Sequence, residues 1–258
     1  MTKFGMAIDL RRCAGCGACV VACQMQNNQR PGVSWNNLDE CEWGRAVGES
    51  GRAYVPHACM HCDNPPCVDA CPTGASVRHD NGITVVDYDS CIACGLCLSA
   101  CPYGARELNT ADTYLFEQAA PAPYEAYGDQ RTYVAEKCIF CEGRLEEGKL
   151  PACVVNCPGR ARYFGDLDDP NSDVSIFIAQ DGVVRIDETS FYYRPVDGMP
   201  ESGLPYADTL LAETGTRADG NMPLVAGIGI AAVAVGAGVG VAVSKSKKAV
   251  AEEGKAGA

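Results

Sequence analysis

The sequence predicts an α+β fold organised around four cysteine-rich loops rather than around one large apolar core. Sixteen of the seventeen cysteines fall into four groups of four, called quartets 1 to 4 below. A short β-prone run precedes each quartet, and a stretch compatible with a helical turn ends at its fourth cysteine. Aromatic residues make up only 7% of the chain, whereas it contains 28 glycines and 15 prolines. Much of the order must therefore come from something other than apolar packing.

The spacing of the cysteines predicts what the loops bind. The members are Cys13, Cys16, Cys19 and Cys23 in quartet 1, Cys59, Cys62, Cys67 and Cys71 in quartet 2, Cys91, Cys94, Cys97 and Cys101 in quartet 3, and Cys138, Cys141, Cys153 and Cys157 in quartet 4. Quartets 1 and 3 read C-x2-C-x2-C-x3-C, and quartets 2 and 4 lengthen the second gap to four and eleven residues. Such a run supplies three thiolates to one [4Fe-4S] cluster and a fourth thiolate to a neighbouring cluster. Four quartets therefore predict four [4Fe-4S] clusters as cofactors.

Other uses of so many cysteines explain the pattern less well. Structural zinc suits paired C-x2-C motifs, but it does not explain a third cysteine repeated in every quartet. Disulfide frameworks belong mostly to short secreted chains, and residues 1–10 lack the basic and apolar regions of a signal peptide. The formal net charge of −12 argues against a nucleic-acid partner, because phosphate binding needs a basic surface. Cys41 stands outside the quartets and is expected to be an inert buried thiol.

The segments between the cysteines predict strands and a pairing of the quartets. Strands are expected ahead of the four quartets, at residues 4–9, 52–55, 83–88 and 132–135. Residues 75–78 and 83–86 flank an Asn81-Gly82 turn, which predicts a hairpin between quartets 2 and 3. The hairpin favours quartets 2 and 3 as one two-cluster module, with quartets 1 and 4 forming a second module around it. Pairing of quartet 1 with 2, and of 3 with 4, is also compatible with the spacing.

The remaining segments are expected to be insertions and extensions. The polar insertion 24–51 contains Trp35 and is expected to pack over the first cluster. Residues 113–131 are predicted to form an exposed loop. Residues 174–191 are expected to add two or three strands, and residues 181–222 form a C-terminal extension and linker.

Residues 223–243 are predicted to form a C-terminal transmembrane helix. No charged or polar side chain occurs in residues 224–243, and twenty residues of helix span roughly 30 Å, the thickness of a bilayer core. Three lysines open the tail 244–258, which is basic and then polar. The positive-inside rule predicts that the tail lies in the cytoplasm and that the cluster domain lies on the outer face of the cytoplasmic membrane of a prokaryote.

The quartets in their sequence context carry a resemblance to a known family. The motifs concerned are Cys13-x2-Cys16-x2-Cys19-x3-Cys23, His61-Cys62-Asp-Asn-Pro-Pro-Cys67, Cys91-Ile-Ala-Cys94-Gly-Leu-Cys97, Lys137-Cys138-Ile-Phe-Cys141 and Pro151-Ala-Cys153-x3-Cys157-Pro158. Over about residues 4–180 the chain resembles the four-cluster iron–sulfur subunit of the dimethyl sulfoxide reductase family of molybdopterin oxidoreductases. The segment 164–172 also looks like the family's sequence after the last quartet.

The resemblance implies nested modules and a ligand set for each cluster. The ligands would be Cys13, Cys16, Cys19 and Cys157 for cluster 1, Cys138, Cys141, Cys153 and Cys23 for cluster 2, Cys59, Cys62, Cys67 and Cys101 for cluster 3, and Cys91, Cys94, Cys97 and Cys71 for cluster 4. Residues 1–51 and 132–180 would then form the outer ferredoxin module, and residues 52–112 the inserted one. No cysteine required for a four-iron cluster is missing from this set.

The resemblance also implies a function without catalytic residues of the chain's own. A subunit of this kind relays electrons between a membrane quinone- or quinol-side partner and the molybdopterin-containing catalytic subunit of a respiratory reductase or dehydrogenase, as in anaerobic respiration. A separate integral membrane quinone-binding subunit is a further candidate partner, although the chain's own membrane helix departs from the family's simplest pattern. The alternative function is a free-standing, membrane-anchored polyferredoxin or redox sensor.

Overall fold

The computed structural model of the chain describes residues 2–44, 50–110 and 131–206, all of which belong to one structural unit. The strands are β1 (Phe4–Asp9), β2 (Asn36–Trp43), β3 (Gly51–Ala58), β4 (Ser76–Arg78), β5 (Thr84–Val86), β6 (Glu107–Asn109), β7 (Val134–Glu136), β8 (Arg162–Asp166), β9 (Val184–Arg185) and β10 (Phe191–Arg194). The helices are α1 (Ala18–Gln26), α2 (Pro66–Asp69), α3 (Leu96–Ser99), α4 (Glu142–Glu146), α5 (Ala152–Val155) and α6 (Asp173–Ile178). A strand thus precedes each quartet, as the sequence predicts.

The largest sheet joins the two ends of the described chain. Its four strands have the order β8-β1-β10-β9. Strand β1 runs antiparallel to β8 and parallel to β10. Met6 and Ile8 of β1 are buried in the same apolar cluster as Phe164 of β8 and Phe191 and Tyr193 of β10. Removal of these large side chains from water stabilises the sheet against which the cysteine loops pack.

Three two-stranded sheets connect the cysteine loops to one another. The predicted hairpin is confirmed, because β4 and β5 pair antiparallel around the Asn81-Gly82 turn. Strand β6, which follows quartet 3, pairs with β7, which precedes quartet 4. Strands β2 and β3 pair along their whole length between quartets 1 and 2.

The expectation of two or three strands over residues 174–191 is wrong for the first residues of that range, which are helical. Residues 173–178 form α6, and only β9 and part of β10 follow within that range. Ser172 caps the helix, since its side-chain oxygen accepts a hydrogen bond from the amide of Ser175 at 3.2 Å. Val174 and Phe177 are three residues apart on one helical face and pack with Ala7 of β1. The capping residue and this spacing favour a helix over a strand.

Several predicted segments lie outside the described residues. They are residues 113–130 of the predicted loop, the linker from residue 207, the predicted membrane helix 223–243 and the tail 244–258. Over the three described ranges, no helix has the length and apolar character that a membrane crossing requires.

Candidate metal centres

Four cavities in the structure are each lined by four cysteines. Site 1 contains Cys13, Cys16, Cys19 and Cys157, site 2 contains Cys23, Cys138, Cys141 and Cys153, site 3 contains Cys59, Cys62, Cys67 and Cys101, and site 4 contains Cys71, Cys91, Cys94 and Cys97. Each site therefore combines three cysteines of one quartet with the fourth cysteine of another. Quartets 1 and 4 exchange their fourth cysteines, and so do quartets 2 and 3.

Short helices explain how one quartet reaches two sites. The third and fourth cysteines of every quartet are four residues apart, a spacing that advances about 6 Å along a helix. In quartet 2, Cys67 lies in α2 and Cys71 follows the end of that helix. Helix α2 packs against α3, and α1 packs against α5. The two helices of each pair run beside each other, so each carries its last cysteine towards the partner's site.

Burial raises the pKa of the thiols in the interior sites, and neighbouring thiols add to the effect. The pKa of Cys23 at site 2 lies well above its ordinary value, first because of burial and then because of the charges of the other three cysteines of that site. The pKa of Cys62 at site 3 is raised to about 12 for the same two reasons. Four thiolates in one buried cavity repel one another, so a bound cationic group is required for all of them to ionise.

Hydrogen bonds to sulfur lower the pKa of a cysteine thiol. Burial of Cys71 at site 4 raises its pKa, but hydrogen bonds from the Ser76 amide and from Thr73 outweigh that effect and lower the pKa to about 7. Other cysteine sulfurs accept hydrogen bonds from the amides of Ala135 (3.4 Å, to Cys91), Phe140 (3.4 Å, to Cys138) and Ala161 (3.3 Å, to Cys157), and from the side chains of Asn27 (3.4 Å) and Gln29 (3.2 Å), both to Cys23. Such bonds stabilise a thiolate and tune the reduction potential of a cluster that it holds.

The cavities fit a polynuclear iron–sulfur group better than a single ion. In each cavity, the four cysteine side chains line one shared space. A zinc ion draws its thiolates to about 2.3 Å from one centre. Throughout residues 2–44, 50–110 and 131–206, no three cysteine, histidine or acidic side chains converge in a way that could hold an ion. Four thiolates around a wider space are the donor set of a [4Fe-4S] cluster.

The sites follow one another in the order 1-2-3-4. Arg162 lines both site 1 and site 2. Sites 2 and 3 meet at the end of strand β3, where Ala58 lines site 2 and the next residue, Cys59, lines site 3. Sites 3 and 4 meet where Cys67 and Cys97 pack in one apolar cluster. The four sites therefore form one continuous series in the described part of the chain.

The two ends of this series are open to solvent. Of the seventeen cysteines, only Cys16 of site 1 and Cys94 of site 4 are exposed. Next to Cys94, the side chains of Ile92 and Leu96 are 62% and 51% exposed. Sites 2 and 3 contain no exposed cysteine, so a redox partner can approach the series most closely at sites 1 and 4.

Comparisons with known proteins show to which family the chain belongs. Residues 51–119 and 109–167 match the 4Fe-4S dicluster domain, and residues 11–26 match a 4Fe-4S binding domain. A Halobacterium salinarum protein, provisionally named as a dimethyl sulfoxide reductase iron–sulfur subunit, is 40% identical over 227 residues, which cover 80% of this chain and 83% of that protein. The chain belongs to the iron–sulfur subunit family of dimethyl sulfoxide reductase-type oxidoreductases. The resemblance stated from the sequence is thereby confirmed.

Further relatives of this iron–sulfur subunit come from different enzymes. A selenate reductase subunit of Mesobacillus selenatarsenatis is 41% identical over 196 residues, covering 71% of this chain and 67% of the relative. A sulfite dehydrogenase subunit of Allochromatium vinosum is 37% identical over 239 residues, covering 84% and 86%. The prediction of a non-catalytic electron-transfer subunit with [4Fe-4S] cofactors is confirmed by this family membership and by the matched domains.

Two buried arginines beside the cysteines are absent from the sequence-based expectations. Arg106 and Arg162 are only 5% and 6% exposed. Their sequence signal is a repeated Cys-Pro-x-x-Ala-Arg motif, at residues 101–106 and 157–162. The motif places an arginine five residues after the fourth cysteine of quartets 3 and 4.

The insertion between quartets 1 and 2 lies closer to site 2 than expected. Trp35 packs against Cys23 and Cys138 of site 2, and its indole nitrogen donates a hydrogen bond to a carboxylate oxygen of Glu136 at 3.0 Å. The expectation that the insertion covers the first cluster is therefore incomplete, although Leu38 does line site 1. The buried indole needs an acceptor, and Glu136 beside site 2 provides it.

Cys41 lies outside the sites, but it is less buried than the sequence predicts. It lines none of the four cavities, and it is half-buried rather than buried. Its side chain lies on strand β2 and packs at the edge of the main apolar cluster.

Proposed function

We propose that this subunit holds one [4Fe-4S] cluster in each of sites 1 to 4, with the four cysteines of the site as ligands. The observation that carries the proposal is that all sixteen quartet cysteines, and not Cys41, line the four cavities in sets of four. When bound, such clusters accept and release single electrons. The series 1-2-3-4 is then a path for electrons through the subunit.

The residues of the chain set the conditions under which electrons move. The cysteines at sites 2 and 3 are buried or half-buried, which limits the exposure of the interior of the path to solvent. Amide groups and the side chain of Gln29 donate hydrogen bonds to the sulfurs and hold them in place. Solvent exposure and sulfur hydrogen bonds both set reduction potentials, so each site has its own potential.

We infer that the two open ends of the path face two partners. One is a molybdopterin-containing catalytic subunit, and the other is a quinone- or quinol-side partner at the membrane. The relatives are named as subunits of reductases and of a dehydrogenase, which supports a catalytic partner. The exposed cysteines at both sites 1 and 4 support one contact at each end. A separate integral membrane quinone-binding subunit is one form that the second partner can take.

We also propose that residues 223–243 anchor the subunit in the cytoplasmic membrane of a prokaryote. The support is the uncharged stretch 224–243 and the three lysines that follow it. This orientation places the cluster domain on the outer face and the tail 244–258 in the cytoplasm.

Analysis of iron and sulfide in the natively purified protein tests the cluster proposal. Four [4Fe-4S] clusters require about sixteen iron atoms and about sixteen acid-labile sulfides per chain. A fully folded protein with zinc in place of iron contradicts the proposal. Co-purification of a molybdenum-containing subunit is also expected. A chain that is consistently isolated alone, with all its iron, favours the free-standing polyferredoxin or redox sensor.

Protease treatment of spheroplasts tests the orientation. External protease is expected to digest the cluster domain and to leave a short C-terminal fragment in the membrane. Cleavage of the lysine-rich tail alone shows the inverted orientation. In a second measurement, a chain that ends at residue 222 is expected to appear in the soluble fraction, whereas its retention in the membrane shows that a separate subunit anchors it.

A further inference from the structure

We propose that Arg106 and Arg162 are equivalent electrostatic bridges, each of which raises the reduction potentials of the two clusters between which it lies. The inference rests on the four-cluster function proposed above. Arg106 acts on the clusters of sites 3 and 4, and Arg162 acts on those of sites 1 and 2. Both act as positioning residues for electron transfer, because they hold a positive charge at a fixed place beside the cluster ligands.

Arg106 connects the two inserted sites. One terminal nitrogen of its guanidinium donates a hydrogen bond to the sulfur of Cys67 at site 3, at 3.0 Å. The same guanidinium interacts electrostatically with Cys97 at site 4. The other terminal nitrogen donates to the hydroxyl of Ser76 at 2.7 Å, which fixes the orientation of the group.

Arg162 occupies the corresponding place in the outer pair of sites. It lines both cavities, and its guanidinium interacts electrostatically with Cys153 of site 2 and Cys19 of site 1. A terminal nitrogen donates a hydrogen bond to the amide oxygen of Asn36 at 2.9 Å. Like Arg106, it is thus oriented by one neutral side chain.

The equivalence of the two arginines extends to the cysteines that they contact. Cys67 and Cys97 are the third cysteines of quartets 2 and 3, and Cys19 and Cys153 are the third cysteines of quartets 1 and 4. Each arginine therefore faces the third cysteine of both quartets in its pair. The shared Cys-Pro-x-x-Ala-Arg motif at residues 101–106 and 157–162 produces this arrangement twice. Ser76 occupies the same motif position after quartet 2, and there it is the acceptor for Arg106.

Within the part of the chain that the structure describes, no carboxylate neutralises the charge of either arginine. Among the described residues, no aspartate or glutamate forms a salt bridge with Arg106 or Arg162. Arg131, which is equally buried, differs because its guanidinium lies 3.8 Å from the carboxylate of Glu136. An unneutralised positive charge in a buried place favours the state with more negative charge on its neighbour. Reduction adds one negative charge to a cluster, so each arginine makes reduction of both adjacent clusters more favourable.

Redox titration followed by EPR, on the assembled complex, tests the proposal. Arg106→Gln is expected to lower the midpoint potentials of two of the four clusters, each by at least a tenfold change in the reduction equilibrium, which is about 59 mV for one electron. Arg162→Gln is expected to lower the other two by a similar amount. Arg106→Lys and Arg162→Lys retain the charge and are expected to restore most of each shift. Arg194→Gln, on β10 and outside all four cavities, is the control and leaves the four potentials unchanged.

The outcomes separate this inference from the proposed function. Glutamine variants that keep about sixteen iron atoms and change no potential, or change all four equally, overturn the bridging role and leave the four-cluster function intact. A wild-type protein without iron overturns the function itself. If the glutamine variants lose clusters, Ser76→Ala and Asn36→Ala are the second test, since each removes the side-chain oxygen that accepts the arginine's orienting hydrogen bond and keeps the arginine itself. Each is then expected to give a smaller shift in the same pair of clusters, and no shift in either pair overturns the inference.

Discussion

The third and fourth cysteines of a quartet line different sites, so the backbone between them links those two sites. Cys67 and Cys71 are separated by one helical turn, yet Cys67 lines site 3 and Cys71 lines site 4. The peptide between them is therefore a short covalent connection between neighbouring sites. The same holds for Cys19 and Cys23 between sites 1 and 2.

Serine substitutions test this crossed arrangement. Cys71→Ser and Cys97→Ser are expected to alter the same EPR signal, because both residues line site 4. Cys67→Ser is expected to alter a different signal, although it is closer to Cys71 in sequence. Loss of a whole cluster removes about four of about sixteen iron atoms. The control Cys41→Ser should keep all four signals. If Cys71→Ser and Cys67→Ser remove the same signal, the ligand sets are wrong.

The sequence predicts the cysteines of the sites better than the residues around them. The four cysteines that share each cavity are those that the family resemblance groups together, and their ligation of iron stays a prediction. The spacing identifies the cysteines because three of a cluster's four ligands are close in sequence. The assignment of the fourth, distant cysteine comes from the resemblance, since the spacing alone allows two pairings of the quartets. Arg106 and Arg162 carry no such signal on their own, since a single arginine is usually a solvated surface charge. Only the fold shows that both are buried between sites.

At the scale of elements, the loop of quartet 1 rests on strand β3. Gly15 and Gly17 have φ angles of +67° and +72°, which side chains other than glycine rarely adopt. A Cβ atom at Gly15 would lie 2.5 Å from the ring of Tyr54 on β3, whereas nothing lies within 4 Å of one at Gly17. Both glycines adopt the left-handed backbone conformation. Only at Gly15 is the absence of a side chain also needed for the loop to contact Tyr54 on the strand.

A matched pair of alanine variants measures this contact. Gly17→Ala is expected to cost about 1–2 kcal/mol, the cost of a left-handed alanine. Gly15→Ala is expected to cost about 1–3 kcal/mol more, because the added methyl group overlaps the ring of Tyr54. The measurement is the temperature at which the visible absorbance of the clusters is lost. Equal temperatures for the two variants contradict the close contact between loop and strand.

The elements themselves are predictable where the signal is local. The strands ahead of the quartets and the β4–β5 hairpin follow from β-prone runs and an Asn-Gly turn. The pairing of β1 with β10 brings Met6 opposite Phe191, and no local pattern marks a contact between residues so far apart. Residues 163–175 are rich in aspartate and in turn-forming residues, yet strand β8 (Arg162–Asp166) extends into them. Pairing with β1 outweighs the local turn preference there.

At the scale of the whole molecule, the main apolar cluster and the cysteines of the metal sites pack against each other. Half-buried cysteines of sites 2 and 3, including Cys62, Cys101, Cys138 and Cys153, pack against the main apolar cluster. Without a bound group, the thiols of each site would surround an unfilled space. The binding energy of the clusters is therefore part of the folding energy of the protein.

Removal of iron is expected to unfold most of the subunit. Treatment with a chelator under reducing conditions should remove the visible absorbance and increase the rate of proteolysis by roughly tenfold or more, because the binding energy that stabilises the fold is lost. The measurement compares protease half-lives before and after treatment, with far-ultraviolet circular dichroism as a second readout. Protein incubated with chelator alone, which keeps its colour, is the control. A colourless, iron-free chain with an unchanged half-life contradicts the prediction.

The parallel pairing of β1 with β10 has a consequence for biosynthesis. Every cysteine of sites 3 and 4 has been translated by residue 101. Site 1 is incomplete until Cys157 has been translated, and site 2 is incomplete until Cys153 has been translated. The sheet that holds the first strand closes only when residues 191–194 have left the ribosome. Iron delivery to a growing polypeptide can therefore start with the inserted half, and the outer half matures after nearly all of the described chain has been made.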